Sequence, residues 1–212
     1  MRITEDRYRR DHVRHDLALR MIRHEARTCT IRACTGLSDD RIRKLYRSYI
    51  QSRHGQSIEL GGVRRRRGKS PRQISAFTRN IPMQIEASLL GGLFNSFGML
   101  TACGIESSRQ PQSQFGTLFC DAYEIYSGLR ASESRLSFEH GWLLWHGLTS
   151  RAELLMENCP RCCGLFVRET HPVHRRSCPL CRLKRAGQRR AACAVSPERL
   201  RRARRQGSSD EM

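Results

Sequence analysis

The stretch CPRCCGLFVRETHPVHRRSCPLC, residues 159–181, holds two Cys-x2-Cys pairs, Cys159 with Cys162 and Cys178 with Cys181, with fifteen residues between the inner cysteines. A pair at this spacing turns back on itself and presents two sulfurs to one ion. Two such knuckles complete the closed tetrahedron that structural zinc prefers. Pro160 and Pro179 reduce the freedom of each turn. The expected cofactor is therefore one structural Zn2+ held by Cys159, Cys162, Cys178 and Cys181. Cys163, beside a ligand, and His171 and His174, in the connecting loop, are the alternative ligands of a mixed site; iron–sulfur or redox chemistry ranks below both. Four thiolates around Zn2+ leave a charge of about −2, which Arg161, Arg175, Arg176 and Arg182 are placed to offset. With cysteine the only ligand type at the right spacing, nothing calls for an open coordination position or a metal-bound water. No paired carboxylates accompany the cluster, so the chain is read as a non-enzyme.

Around this cluster the chain is strongly basic. Its 212 residues carry 39 Lys and Arg against 20 Asp and Glu, a net charge of +19. That exceeds what solubility requires and points to a polyanion, nucleic acid first. The charge is also divided, with +12 over residues 1–72, −3 over 73–158 and +10 over 159–212. Two basic ends thus flank a segment suited to core and partner contacts. No signal peptide and no long uncharged apolar run is present, so the expected location is cytoplasmic, with no membrane contact. In a reducing compartment ten cysteines read as metal ligands plus buried or free thiols.

Near the N-terminus, residues 17–27 read as a helix, Cys29 to Thr35 as a short second one, Gly36 as a turn, and Ser38 as the N-cap of a third helix running to about Ile50. Asp39 and Asp40 suit the positive end of that third helix. Its Ile42, Leu45, Tyr46, Tyr49 and Ile50 form one apolar stripe. The opposite face carries Arg43, Lys44, Arg47, Ser48 and Gln51, with Arg41 at its edge. Such a face suits phosphates and base edges in a major groove, and equally an ordinary solvated helix. Arg32 stands where a helix-turn-helix usually places a small residue.

Between Arg53 and Ile74 the run Gly61-Gly62-Val63, Arg64, Arg65, Arg66, Arg67, Gly68-Lys69-Ser70 only imitates a phosphate loop. The position that must be glycine is Val63, and no buried strand precedes it, so nucleotide hydrolysis is rejected. The four arginines read as an arm lying along DNA phosphates or as a plain linker. Farther on, candidate helices cover 83–101, 114–130 and 136–156. In the second, Leu118, Phe119, Ala122, Ile125, Tyr126 and Leu129 predict one buried face. Gly91, Gly92 and Gly98 in the first mark either close packing or a break.

The fold class expected is mainly α: a helical domain with an N-terminal helix-turn-helix-like segment and a small C-terminal four-cysteine zinc module. The expected organisation is N-terminal helices over 1–52, a basic loop over 53–80, a helical core and partner interface over 81–158, the zinc module over 159–185, and a basic disordered tail over 186–212.

The chain resembles the FlhC family, the C subunit of the bacterial flagellar master transcriptional activator. The resemblance covers roughly residues 16–185. It is carried by Gly36-Leu37-Ser38 followed by Arg41-Ile42-Arg43-Lys44-Leu45-Tyr46, by Ala122-Tyr123-Glu124-Ile125-Tyr126, by Trp142, and by the cysteine cluster with Cys162-Cys163-Gly164-Leu165-Phe166. It implies a mostly helical protein that holds zinc through the four cysteines. It also implies pairing with an FlhD-like D subunit in a hetero-oligomer that binds promoter DNA and activates flagellar operons. Control of other genes is the variant of this reading. An RNA-binding or ribosome-associated zinc module is the alternative, because basic charge and a zinc knuckle do not separate RNA from DNA. The DNA-contact candidates are Arg43, Lys44, Arg47, Arg64, Arg65, Arg66, Arg67, Arg175, Arg176 and Arg182.

Overall fold

A computed structural model describes residues 2–54, 66, 68, 71–100, 112–130, 135–171 and 177–194. The elements are α1 (Arg2–Arg23), α2 (Thr28–Thr35), α3 (Asp39–His54), a 3-10 turn at Ile74–Phe77, α4 (Ile81–Ser96), α5 (Gln112–Arg130), α6 (Phe138–Ser150), β1 (Leu154–Asn158), β2 (Leu165–Glu169) and α7 (Pro179–Ala194). Among the described residues the chain is mainly helical with one small antiparallel hairpin. Among the described residues no helix is long and apolar enough to cross a membrane.

The helix expected over 17–27 instead begins at Arg2 and ends at Arg23. Apolar spacing starts only at Leu17. The earlier turns contain neither glycine nor proline and carry same-face pairs such as His12–Asp16 at 2.9 Å. Glu25, at a φ of +57°, breaks the helix before α2. The N-cap position of α2, Arg27, has no side-chain cap of its own. That end is closed from elsewhere: buried Glu139 on α6 accepts the Arg27 N–H at 2.7 Å and the Thr30 hydroxyl at 3.0 Å. A carboxylate there also suits the positive helix end.

Gly36, at a φ of +68°, ends α2, and α3 follows after Leu37 and Ser38. Ile42 and Tyr46 are buried as their spacing predicts, and the Tyr46 hydroxyl donates to the Ala26 carbonyl. The side chains of Tyr49 and Ile50 lie outside the described residues. Helices α1, α2 and α5 meet at Gly116, where an added Cβ would stand 2.8 Å from both Cys34 Cβ and Leu17 Cδ2. Arg20 on α1 reaches Asp121 at 2.5 Å and Glu124 at 2.6 and 2.7 Å on α5, and His24 reaches Glu124 at 2.8 Å. That bidentate guanidinium holds the Glu124 carboxyl down to about 2.

Helix α4 is the hub. Asn80 caps it by accepting the Met83 N–H at 2.9 Å, Pro82 occupies its first turn, and Gly98 at a φ of +69° follows its end. It therefore covers Ile81–Ser96, not 83–101. Its buried Glu86 pairs with Arg130 at 2.7 Å and accepts the Tyr126 hydroxyl at 2.5 Å. On α5, Phe119, Ala122 and Tyr126 are buried, but Ile125 is 44% and Leu129 63% exposed. The expected face is thus only partly covered, because the neighbours of α5 span a narrower arc than its apolar residues.

The segment 136–156 is not one helix. Ser137 caps α6 through the His140 N–H, and Arg151 at a φ of +52° ends it. Leu154–Asn158 then forms β1, paired with β2 from Leu154 opposite Glu169 to Asn158 opposite Leu165. The supposed disordered tail over 186–212 is corrected at its start, since α7 continues to Ala194; residues 195–212 lie outside the described residues. The basic loop over 53–80 likewise yields its ends to α3, to the 3-10 turn and to the cap of α4.

Candidate metal centre and nucleic-acid interface

The β1–β2 hairpin makes the first knuckle at its tip. The Cys159 N–H donates to the Gly164 carbonyl at 3.0 Å and the Cys163 N–H donates to the Cys159 carbonyl at 2.8 Å. Cys163 closes the turn at a φ of +56°, a conformation most side chains avoid. The second pair opens α7. Its first helical hydrogen bond runs from the Arg182 N–H to the Cys178 carbonyl at 3.1 Å, and Pro179 occupies the first helical position. Cys178 thus stands where an N-cap would, its sulfur accepting the Cys181 N–H at 3.4 Å.

These two turns bring the four sulfurs within 4.8 Å of one another, with Cys159–Cys181 at 4.0 Å and Cys162–Cys178 at 3.6 Å. A tetrahedron with metal–sulfur bonds of about 2.3 Å has edges of about 3.8 Å. The spacing therefore fits one tetrahedral ion and is far too long for a disulfide. Backbone donors are also aimed at the sulfurs. The Cys178 N–H at 3.3 Å, joined by those of Arg161 and Cys162, pulls the Cys159 thiol down to about 6. Without a cation the neighbouring Cys162 and Cys178 side chains push Cys181 up to about 12. A metal ion relieves that crowding of sulfurs, as four thiolates require.

Cys163 and exposed His171 are not members of the four-sulfur group, and His174 lies outside the described residues. Among the other thiols Cys34 and Cys120 are buried and Cys29 is exposed. Burial pushes the Cys120 thiol up to about 12.

The four-cysteine module is bolted to α4. The Gln84 side-chain amide donates to the Val167 carbonyl at 2.8 Å, and the Val167 N–H donates to the Ser88 hydroxyl at 3.0 Å. Two side chains one helical turn apart thus occupy both backbone groups of Val167. Arg182, one residue beyond Cys181, donates to the Gln84 side-chain oxygen. Gly91 allows the close approach: a Cβ there would meet Met156 Sδ at 3.0 Å, Val167 Cγ2 at 3.2 Å and Leu148 Cδ1 at 3.3 Å. Sequence reasoning missed this grip. Its one visible signal was the set Gln84, Glu86 and Ser88 within an apolar stretch.

The described members of the predicted DNA-contact set lie on different segments. Arg43, Lys44 and Arg47 are exposed together on α3, with Arg43 bound to Asp40 at 3.0 Å. Arg32 turns outward and pairs with Asp39 at 3.3 Å, so it does not wedge α2 from α3. Arg66 is exposed and pairs with Glu25 at 2.9 Å. Arg64, Arg65, Arg67, Arg175 and Arg176 lie outside the described residues.

No curated protein matches the chain. A family model described as the flagellar transcriptional activator FlhC matches residues 8–193.

Proposed function

Because the chain belongs to the FlhC family of flagellar transcriptional activators, we propose that it is a DNA-binding activator subunit that acts with a D-type subunit at promoters, flagellar operons first. The observation that carries this reading is the two-sided character of α3. Ile42 and Tyr46 are buried while Arg43, Lys44 and Arg47 face solvent just past the Gly36 turn, on a chain of net charge +19. A helix so presented suits the major groove, with cationic ends supplying phosphate contacts. Arg64, Arg65, Arg66 and Arg67 on one side, and Arg175 and Arg176 on the other, extend those contacts in this reading. Arg182, engaged with Gln84, fixes α7 to α4.

The ion is zinc in this proposal, because four sulfurs within 4.8 Å of one another leave no open position and suit a closed structural site. When bound it supplies the closure that a two-stranded hairpin lacks on its own. Cys159, Cys162, Cys178 and Cys181 hold it; the backbone donors around Cys159 favour its thiolate, and the ion itself would hold the others deprotonated.

The test is co-expression with a D-type subunit, metal analysis of the isolated complex, and promoter binding across a salt series. Binding is expected to fall steeply with salt. Lys44→Ala and Arg47→Ala should each reduce the slope of log affinity against log salt by about 1. Salt-insensitive binding, or no promoter retained with the D-type subunit supplied, refutes the reading.

A further inference from the structure

Helix α4 is apolar on two sides, and among the described residues one is buried while the other is only half covered. Ala87, Leu90, Gly91 and Phe94 are buried in the core. Ile85, Leu89, Gly92 and Leu93 recur at i, i+4, i+7 and i+8 on another face and line a groove of about 490 Å3. The opposite wall belongs to the metal module and includes Leu165 and Leu180. Leu180 is 56% exposed, and Leu183, one turn farther along α7, is 46% exposed. The apolar strip therefore outruns the groove. Residues 81–96 contain a single charged side chain, Glu86, and it is buried on an ion pair. A helix with so little charge ordinarily has its whole surface covered.

We propose that this groove receives an amphipathic helix of a partner protein, one with an apolar stripe flanked by acidic residues. Among the described residues the lining carries no Asp, Glu, Lys or Arg, its only ionisable groups being the Cys162 and Cys178 sulfurs of the four-cysteine site, which suits side chains of low polarity and does not suit a phosphate backbone. The cations begin outside it: exposed Arg161 beside Cys162, and exposed Lys184 and Arg185 on α7, with Lys184 one turn beyond Leu180. This charge calls for carboxylates at the flanks of the occupant. It disfavours a second copy of this chain, whose own net charge is +19. Gln84 and Ser88 already occupy the N–H and carbonyl of Val167, so an extended peptide has no place there to add to the hairpin. A helix laid into the groove is the remaining recognition mode. This inference does not depend on the DNA contacts proposed above.

The test uses the full, zinc-loaded chain and a labelled synthetic helix with leucines at i, i+3, i+4 and i+7 and glutamates on both flanks. A twin carries lysines in place of the glutamates. The acidic helix should bind saturably and about tenfold or more tighter than its twin, a difference of about 1.4 kcal/mol. Gly92→Phe points a ring into the groove from a position where a Cβ meets nothing within 4 Å. Leu180→Glu changes an exposed residue, and so keeps the test valid should Gly92→Phe lose metal. Each variant should weaken binding about tenfold while helical signal, zinc content and promoter affinity stay unchanged. Absence of binding, equal binding of the twins, or binding indifferent to both variants overturns the proposal. Displacement of the helix by duplex DNA, or a dimer of the chain abolished by the same variants, overturns it in favour of those occupants.

Discussion

Neighbouring glycines on α4 should respond oppositely to the same change. Glycine inside a helix costs roughly 0.5–1 kcal/mol relative to alanine, so Gly91→Ala and Gly92→Ala begin with the same gain. At Gly92 nothing lies within 4 Å of the new methyl, and that gain should appear as added stability. At Gly91 the methyl meets Met156 Sδ at 3.0 Å, Val167 Cγ2 at 3.2 Å and Leu148 Cδ1 at 3.3 Å. These atoms belong to β1, β2 and α6, so one small shift cannot relieve all three. Overpacking of this kind costs about 1–3 kcal/mol. The backbone gain cancels between the variants, and their stabilities should differ by about 1–3 kcal/mol in favour of Gly92→Ala. Urea unfolding of the zinc-loaded chain measures this directly, provided the two denaturant slopes agree. Gly91→Ala should also release zinc faster, since two displaced contacts are on the hairpin that carries Cys159 and Cys162. Equal stabilities, or a more stable Gly91→Ala, would refute the docking of the hairpin on α4.

Other outcomes follow from particular contacts. Cys178→Ser should abolish zinc binding and strip amide protection from β1, β2 and α7, while α1, α2 and α5 remain protected in hydrogen exchange; retained stoichiometric zinc counts against the four-sulfur site. Glu139→Gln leaves an amide where the Arg27 N–H and Thr30 hydroxyl need acceptors, so it should cost about 1–3 kcal/mol in chemical denaturation, lost first at α2. The Glu124 carboxyl is held at about 2, below its ordinary 4.5, chiefly by Arg20. Its contribution is therefore complete above about pH 4.5 and lost as pH falls towards 2, and Glu124→Gln should remove that acid limb from the pH dependence of α1 exchange. In the zinc-loaded protein an alkylating reagent should label Cys29 and Cys163 but not Cys34 or Cys120, with the four ligands labelled only after chelation; mass mapping of the modified thiols decides.

What the sequence made legible was local. The cysteine pairs could be read because a knuckle is specified by four residues. The α2 to α3 turn could be read because Gly36 supplies the positive φ, Ser38 accepts a first-turn N–H, and Asp39 and Asp40 suit the positive end of α3. The outer turns of α1 escaped notice because their helicity comes from backbone tolerance and charge pairs, with no apolar period to mark it. The run Leu154-Leu155-Met156 reads as part of the preceding helix because a short apolar run suits either structure, and no glycine announces the break at Arg151. Gly91, Gly92 and Gly98 looked alike in the sequence. The first serves contact with the hairpin, the second opens onto the groove, and the third follows the end of the helix. Their difference depends on residues more than fifty positions downstream or on a positive φ, neither visible in a local window. The grip of Gln84, Ser88 and Arg182 on the metal module was hidden for the same reason.

That grip also sets an order on the making of the protein. Gln84 finds its partners 83 and 98 residues later in the chain, at Val167 and Arg182, and Glu86 finds Tyr126 40 residues later. During synthesis α4 is made before any of them exists: Glu86 must stay hydrated until α5 follows, and Gln84 until the four-cysteine segment does. The centre of the molecule is finished last. A ribosome that stalls between Ser150 and Arg182 leaves a chain with its first six helices made and its central helix still wet.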